Sequence, residues 1–210
     1  MPSTSADSPS PLGAAWEQRY GAEGYLYGTE PNDFLRQHVD SIPRGRVVCL
    51  AEGEGRNAVF LAGQGFEVAS IELTESGVTK TRRLAAQRGV HVGAVTGDLA
   101  TADLGVQSWN GIVSIFAHLP PTIRRDLHLR IADALAPGGV FLLEAYTPNQ
   151  IGRGTGGPPV AELAMSLADL RRELAGLEFV HAVEIERQII EGHGHTGLGS
   201  VVQIIARRPV

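Results

Sequence analysis

The chain has 210 residues, 43% of them hydrophobic and 20% charged, with a formal net charge of −5. That balance suits a globular domain with one sizeable core. No lysine and arginine run forms a stripe, which argues against nucleic acid and against a membrane surface as partners, and no apolar stretch approaches the ~20 residues of a membrane span.

The opening "MPSTSADSPSPLG", residues 1–13, has neither a basic nor an apolar segment of the signal-peptide kind. Its serines and prolines read as a disordered tail. Residues 14–210 are expected to form a single domain, with 14–44 as a helical N-terminal cap. "AAWEQRYGAEGYLYG" reads as a short helix followed by a glycine-broken loop rich in aromatics. "PNDFLRQHVDSI" reads as a helix opened by Pro31.

Beyond it, strand and helix patterns alternate. "RVVCLA" is β-rich without polar alternation, as in a strand buried on both faces of a parallel sheet. Its Cys49 is the only cysteine, so no internal disulfide forms; it reads as a small buried hydrophobe and fits a cytoplasmic location. "NAVFLAGQG" is a helix ended by glycine, "FEVASIEL" a second strand, and "ESGVTKTRRLAAQRG" a helix capped by Thr74. "VHVGAVTGDL" and "WNGIVSIF" are the third and fourth strands. Ile123, Leu127, Ile131 and Leu135 recur every fourth residue, the apolar face of a helix that Pro137 and Gly138-Gly139 stop. "VFLLEAY" is a fifth strand, "NQIGRGTGGPP" a glycine-rich loop, and "SLADLRRELAG" a helix with Ser166 and Asp169 in a capping box. "FVHAVEIERQII" and "GSVVQIIARRP" are strands joined by the glycine-rich "EGHGHTGLG" with no helix between them, so they pair antiparallel. The sum is an α/β fold: a Rossmann-like three-layer α/β/α sandwich on a seven-stranded, mostly parallel sheet ending in an antiparallel hairpin.

In such sheets ligands sit outside the C-terminal ends of the strands. The loop after the first strand, "AEGEGRN", is therefore the candidate site. Gly53 and Gly55 let backbone approach a ligand without Cβ atoms, and the following helix offers free N–H groups. Glu72 ends the second strand nineteen residues beyond Gly53, the offset at which an acid reaches a ribose diol. Together they favour an adenosine-type ligand. Gly53-x-Gly55-x-x-Ala58 also fits the relaxed dinucleotide fingerprint, or a tight turn that binds nothing. Against a dinucleotide stand Glu52 and Glu54, which would face a pyrophosphate, and the terminal hairpin in place of a second nucleotide-binding half.

The order of "VVCLAEGEGRN", "SIEL", "TGDL", "NGIVSIFAHLP" and "LAPGGVFLLEAY" resembles the class I S-adenosylmethionine-dependent methyltransferases. "WEQRYGAEGYLYGTEPNDFL" and "EGHGHTGLGSVVQ" narrow the resemblance to the tellurite-resistance branch, a relative of the thiopurine methyltransferases. It covers roughly residues 14–208. The chain departs from the family loop, Asp-x-Gly-x-Gly, with Cys49 and Ala51 at the Asp and first Gly, and with Asn110 in place of an Asp opening the fourth strand.

The resemblance implies S-adenosylmethionine as cofactor and a small-molecule methyl acceptor, a thiol or chalcogen compound, in a monomer or homodimer. It puts the cofactor's methionine part over Gly53 and Gly55, its ribose on Glu72, and its adenine on Asp98 and Leu99, with Ala51, Glu52, Arg56, Asn57, Leu73 and Phe116 as further cofactor-binding residues. Arg56 would pair with the cofactor's carboxylate or with Glu54, or stand free in solvent; Glu52 would accept from the cofactor's ammonium group or from its own loop. Asp98 and His118 are each also readable as helix or turn caps. Phe116 and residues 118–120 would line the reaction chamber, with His118, Tyr20 and Tyr146 the candidate catalytic or substrate-contacting groups. Trp16, Arg19, Tyr20, Tyr25 and Tyr27 form either a packed helix or a lid facing the sulfonium. His193-x-His195 lacks a third ligand and is read as pocket lining, with no metal expected. No Asp/His/Lys dyad is evident in the sequence. The rival readings are an NAD(P)-dependent oxidoreductase and a non-catalytic cofactor sensor.

Overall fold

A computed structural model describes residues 11–210; the expected tail falls outside the described residues up to residue 10, and its last three residues open the first helix. Two helices, α1 (Pro11–Gly21) and α2 (Asp33–His38), precede the sheet. Then come β1 (Arg46–Leu50), α3 (Arg56–Gly63), β2 (Glu67–Glu72), α4 (Glu75–Gln87), β3 (Gly93–Thr96), β4 (Trp109–Ile115), α5 (Pro121–Ala134), β5 (Leu135–Tyr146), α6 (Leu167–Glu173), β6 (Glu178–Glu191) and β7 (His195–Arg207).

The strands form one seven-stranded sheet in the order β3-β2-β1-β4-β5-β7-β6. The pairs from β3 to β5 are parallel, while β7 runs antiparallel to β5 and to β6. Chain order reverses between β1 and β4, so the crevice beyond their C-terminal ends is the switch point. The expected fold class is the one found.

Alternation along the strands divides the core. Val47, Cys49, Val113 and Leu142 face Leu35, Ala58, Leu61 and Val78 on one side. Val48, Leu50, Ile112 and Phe141 face Leu127, Ile131 and Leu170 on the other. Both faces of β1 are covered by helices, which is why its sequence shows no polar alternation.

Thr74 caps α4 by accepting from Gly77 N–H, and Ser166 caps α6 by accepting from Asp169 N–H. Asn32, not Pro31, caps α2, its side chain accepting from Leu35 N–H. Two boundaries differ from expectation. The α5 helix ends at Ala134, and Leu135, expected on its apolar face, instead opens β5 opposite Trp109, because the chain before Pro137 is driven into extended backbone. The glycine-rich connection between the last two strands is largely paired: β6 and β7 run on to Glu191 opposite His195, leaving Gly192–Gly194 as the tip. Among the described residues no helix is long and apolar enough to cross a membrane.

Candidate active site

At the end of β1 the chain passes through left-handed backbone at Ala51 (φ 47°), Gly53 (φ 69°) and Gly55 (φ 97°). The last turns directly into α3. The two glycines serve different ends. A Cβ on Gly53 would lie 2.8 Å from the hydroxyl of the buried Tyr20, which covers the loop there, whereas one on Gly55 would strike the Thr81 backbone of α4 at 2.7 Å. Gly53 makes room for Tyr20 on the loop, and Gly55 lets α3 and α4 close together.

The four charged or polar groups of this loop are each committed. Glu52 Oε1 accepts from Asn57 N–H and Ala58 N–H, both at 2.9 Å, and so caps α3 from within its own loop. Burial raises its carboxyl to about 7 despite those bonds. Glu54 accepts from Leu26 N–H at 2.6 Å and pairs with Lys80 at 2.7 Å. Arg56 therefore does not pair with Glu54 and is not a solvated surface arginine; its Nη2 donates to Glu191 at 2.8 Å, and its buried Nη1 has no protein partner. Asn57 Oδ1 accepts from Asn32 N–H, tying α3 to the start of α2.

Glu72, at the tip of β2, is buried and faces the loop. Its Oε2 accepts from Gly53 N–H at 2.9 Å, and its Oε1 accepts from both the N–H and the hydroxyl of Thr74. A carboxylate oxygen holds about two donors, so Oε1 is filled and Oε2 has one position left. A grip by both oxygens on a vicinal diol requires Thr74 to release; Oε2 alone is ready. Burial raises the Glu72 carboxyl, against the pull of the Gly53 and Thr74 bonds.

Leu73 is half-buried next to Glu72. At the end of β3, Asp98 is exposed; its Oδ1 accepts from Ala100 N–H in a local turn, while Leu99 is buried against Leu50 and Ile71. Tyr20, from α1, is 6% exposed, and burial followed by the charge of Glu72 raises its hydroxyl well above the usual value.

The second half of the site is aromatic. Phe116 ends β4 with φ 54°, a strained conformation for a bulky residue, and its N–H donates to Glu144 O at 2.7 Å. Its ring stacks on Tyr146 at 4.6 Å and meets His195 edge-on at 4.6 Å; Tyr27 covers His195 at 4.4 Å. Tyr146 is fully buried, yet its hydroxyl has no protein partner, and burial pushes its pKa up. Such a group points to a ligand contact.

His118 is placed differently from a proton acceptor. Its Nδ1 bonds Leu163 O at 3.0 Å, its Nε2 accepts from Tyr146 N–H at 3.4 Å, and burial lowers its pKa to about 4. Both nitrogens are engaged in holding residue 163 and the end of β5.

The register of the β6–β7 hairpin creates a dyad that was not evident in the sequence. His195 Nδ1 lies 3.1 Å from Glu191 Oε2, the oxygen that Arg56 also reaches. Burial works against the Glu191 carboxylate, but the His195 bond and Arg56 hold it at about 2. Burial lowers His195, and Glu191 offsets part of that. A three-residue glycine tip between two β-rich runs was the signal that would have paired them. His193, by contrast, is exposed. Among the described residues no group of three or more His, Cys, Asp or Glu could hold a metal ion.

Two features leave contacts for an adenosyl sulfonium ligand: one open position on Glu72 Oε2, and two buried polar atoms without protein partners, Arg56 Nη1 and Tyr146 Oη.

Residues 47–139 match the methyltransferase domain family. The enzyme class and cofactor expected from the resemblance, an S-adenosylmethionine-dependent methyltransferase, agree with that match. No curated protein matches the chain. Solved structures share its fold at low identity. One, from work on the conversion of a disulfide bond into a thioacetal group during echinomycin biosynthesis, is 17% identical with a TM-score of 0.75, covering 94% of this chain and 92% of that one. TehB from Haemophilus influenzae is 16% identical with a TM-score of 0.69; the alignment covers 92% of this chain but only 65% of TehB. Geranyl diphosphate C-methyltransferase from Streptomyces coelicolor, solved with S-adenosyl-L-homocysteine, is 14% identical with a TM-score of 0.67 over 96% of this chain and 99% of that one. The matched segment runs from β1 to the start of β5, and Tyr27, Tyr146 and His195 of the aromatic cluster lie outside it.

Proposed function

We propose that this methyltransferase alkylates a small soft nucleophile, a thiol or chalcogen compound. The observation that carries the reading is the unpartnered Tyr146 hydroxyl, whose ring packs against Phe116 and the Glu191-backed His195, with Tyr27 on the other side of that histidine. The neighbours that lend weight are the thioacetal-forming system and TehB, whose likeness is to the fold alone.

When bound, the cofactor supplies a methyl group on a sulfonium, which needs no further activation. The protein's work is alignment, desolvation and proton removal. Gly53, Glu72 and Asp98 would hold the nucleoside and amino-acid parts, and Arg56 Nη1 would take a carboxylate. Tyr146 Oη donates to the acceptor. His195, its pKa lowered by burial, would take the proton from an acceptor thiol, and Glu191 orients its ring. His118 is a positioning residue, since both its nitrogens are used. The buried free thiol of Cys49 is consistent with a reducing compartment.

Calorimetry with S-adenosylhomocysteine against NAD(H), followed by a panel of thiols and reduced chalcogens, tests the reading. Homocysteine-form binding with turnover on the panel is expected. Preference for NAD(H) makes it an oxidoreductase; binding without turnover on any acceptor makes it a sensor.

A further inference from the structure

Gln150, in the loop after β5, is buried, and its whole side-chain amide is used. Its Nε2 donates to Thr155 Oγ1 and to Gly156 O, both at 2.9 Å, and its Oε1 accepts from Ser200 N–H at 2.9 Å. Thr155 Oγ1 donates in turn to Leu198 O at 3.0 Å, and Thr155 O accepts from Thr196 N–H at 3.2 Å. The turn at Thr155 and Gly156 is thus fastened to β7 at three places, the first of them next to His195. Gln150, Thr155 and Gly156 lie outside the matched segment 47–139.

The turn presents bare backbone to the aromatic cluster. A Cβ on Gly156 would fall 2.7 Å from Gly194 O, 2.8 Å from His195 Cδ2 and 3.2 Å from the Tyr146 hydroxyl. In the imidazole ring Cδ2 is bonded to Nε2, the nitrogen left free when Glu191 engages Nδ1. Two further glycines fit the same tyrosine: a Cβ on Gly157 would lie 3.2 Å from the Tyr146 ring, and one on Gly199 3.1 Å. Gly156 is exposed while Tyr146 and His195 are buried, so the turn stands between both groups and solvent.

We propose that Gly156 is a positioning residue for methyl transfer: held by Gln150 and Thr155, its bare backbone packs on the Tyr146 hydroxyl and the Nε2 side of His195, keeps water from both, and sets where they meet the acceptor. This rests on the acceptor reading above. Burial lowers His195, Glu191 and Glu144 pull it up, and Arg56 pushes it down; Tyr27, Phe116 and Tyr146 pack on its ring. The turn supplies part of that burial. A side chain at residue 156 would prise the turn off the ring and let water reach it, and a rewetted imidazole takes up its proton more readily.

Kinetics across pH on the best acceptor of the thiol and chalcogen panel, beside calorimetry with S-adenosylhomocysteine, test this. Gly156→Ala should lower kcat roughly tenfold or more and move the acid limb of kcat/KM, set by His195 as base, up by about half a pH unit or more, with S-adenosylhomocysteine affinity within about twofold. Gly154→Ala controls for left-handed strain: Gly154 has φ 70° and nothing within 4 Å of its Cβ, so this variant should match the parent. Thr155→Val carries no such strain. It removes the Oγ1 fastening and should move kcat and the acid limb the same way, and Thr155→Ser should restore them; this pair decides the matter if Gly156→Ala does not fold. A parent-like kcat and pH profile in Thr155→Val, and in Gly156→Ala where it folds, overturns the positioning role but leaves the acceptor reading, and so does an equal effect from Gly154→Ala. A parent that turns over no acceptor overturns both.

Discussion

Gly53 donates its backbone N–H to Glu72 Oε2 at 2.9 Å, so the carboxylate at the tip of β2 holds the glycine loop in its left-handed turn. The same oxygen is the one with a position open to a sugar hydroxyl. Glu72→Ala should therefore remove a ligand contact and loosen the loop that cradles the rest of the ligand. The expected outcome is a loss of at least tenfold in S-adenosylhomocysteine affinity by calorimetry, about 1.4 kcal/mol, with the circular dichroism spectrum unchanged. Unchanged affinity would take Glu72 out of the site.

Tyr146→Phe separates chemistry from folding. The hydroxyl is buried without a partner, so deleting it removes an unsatisfied polar group and leaves the ring stack on Phe116 intact. The melting temperature should hold or rise. S-adenosylhomocysteine affinity should stay within twofold, while turnover on the best acceptor of the panel falls at least tenfold. A variant that turns over like the parent would show that the hydroxyl does not meet the acceptor.

Glu52 gives a pH signature. Its folded-state value of about 7 lies above the ordinary 4.5, so the folded chain holds a proton that the unfolded chain has released. The stability this contributes is complete below about pH 4.5 and is lost as pH rises through about 7. Above that the protein carries a buried carboxylate. Glu52→Gln keeps an oxygen for Asn57 and Ala58 but never ionises. At pH 8 it should be more stable than the parent by roughly 1–3 kcal/mol in urea unfolding, and at pH 5 the gap should nearly vanish. An equal gap at both pH values would mean that burial does not perturb this group.

The parts of the site legible in the sequence were those set by local geometry. A strand, a tight turn and a helix place Gly53 and Glu72 within nineteen residues of each other, and the parallel register of β1 and β2 does the rest. Partners chosen by distant pairing were not legible. Proximity suggested Glu54 for Arg56, but Leu26 and Lys80 occupy Glu54, and Glu191, 135 residues away, takes the arginine. The dyad of Glu191 and His195 depends on how far β6 and β7 pair toward their tip, and the glycine-rich stretch there was read as the segment joining the two strands. His118 looked free to act because its two partners, Leu163 and Tyr146, reach it only through the fold.

Asn32 shows what such distant pairing contributes to stability. It is wholly buried, and every polar group of its side chain is used: Oδ1 caps α2 at Leu35, and Nδ2 donates to Glu144 at 2.6 Å and to Glu191 at 2.9 Å. Asn32→Ala removes the cap and takes a donor from two buried carboxylates, a loss of about 2–4 kcal/mol in urea unfolding. Asn32→Asp decides which loss matters. Aspartate is as good an N-cap as asparagine, but it sets a third carboxylate against Glu144 and Glu191, where Arg56 and Arg187 already serve the other two. Asp should therefore be at least as destabilising as Ala near pH 7. An Asp variant as stable as the parent would mean that the cap, not the link from α2 to Glu144 and Glu191, is what Asn32 provides.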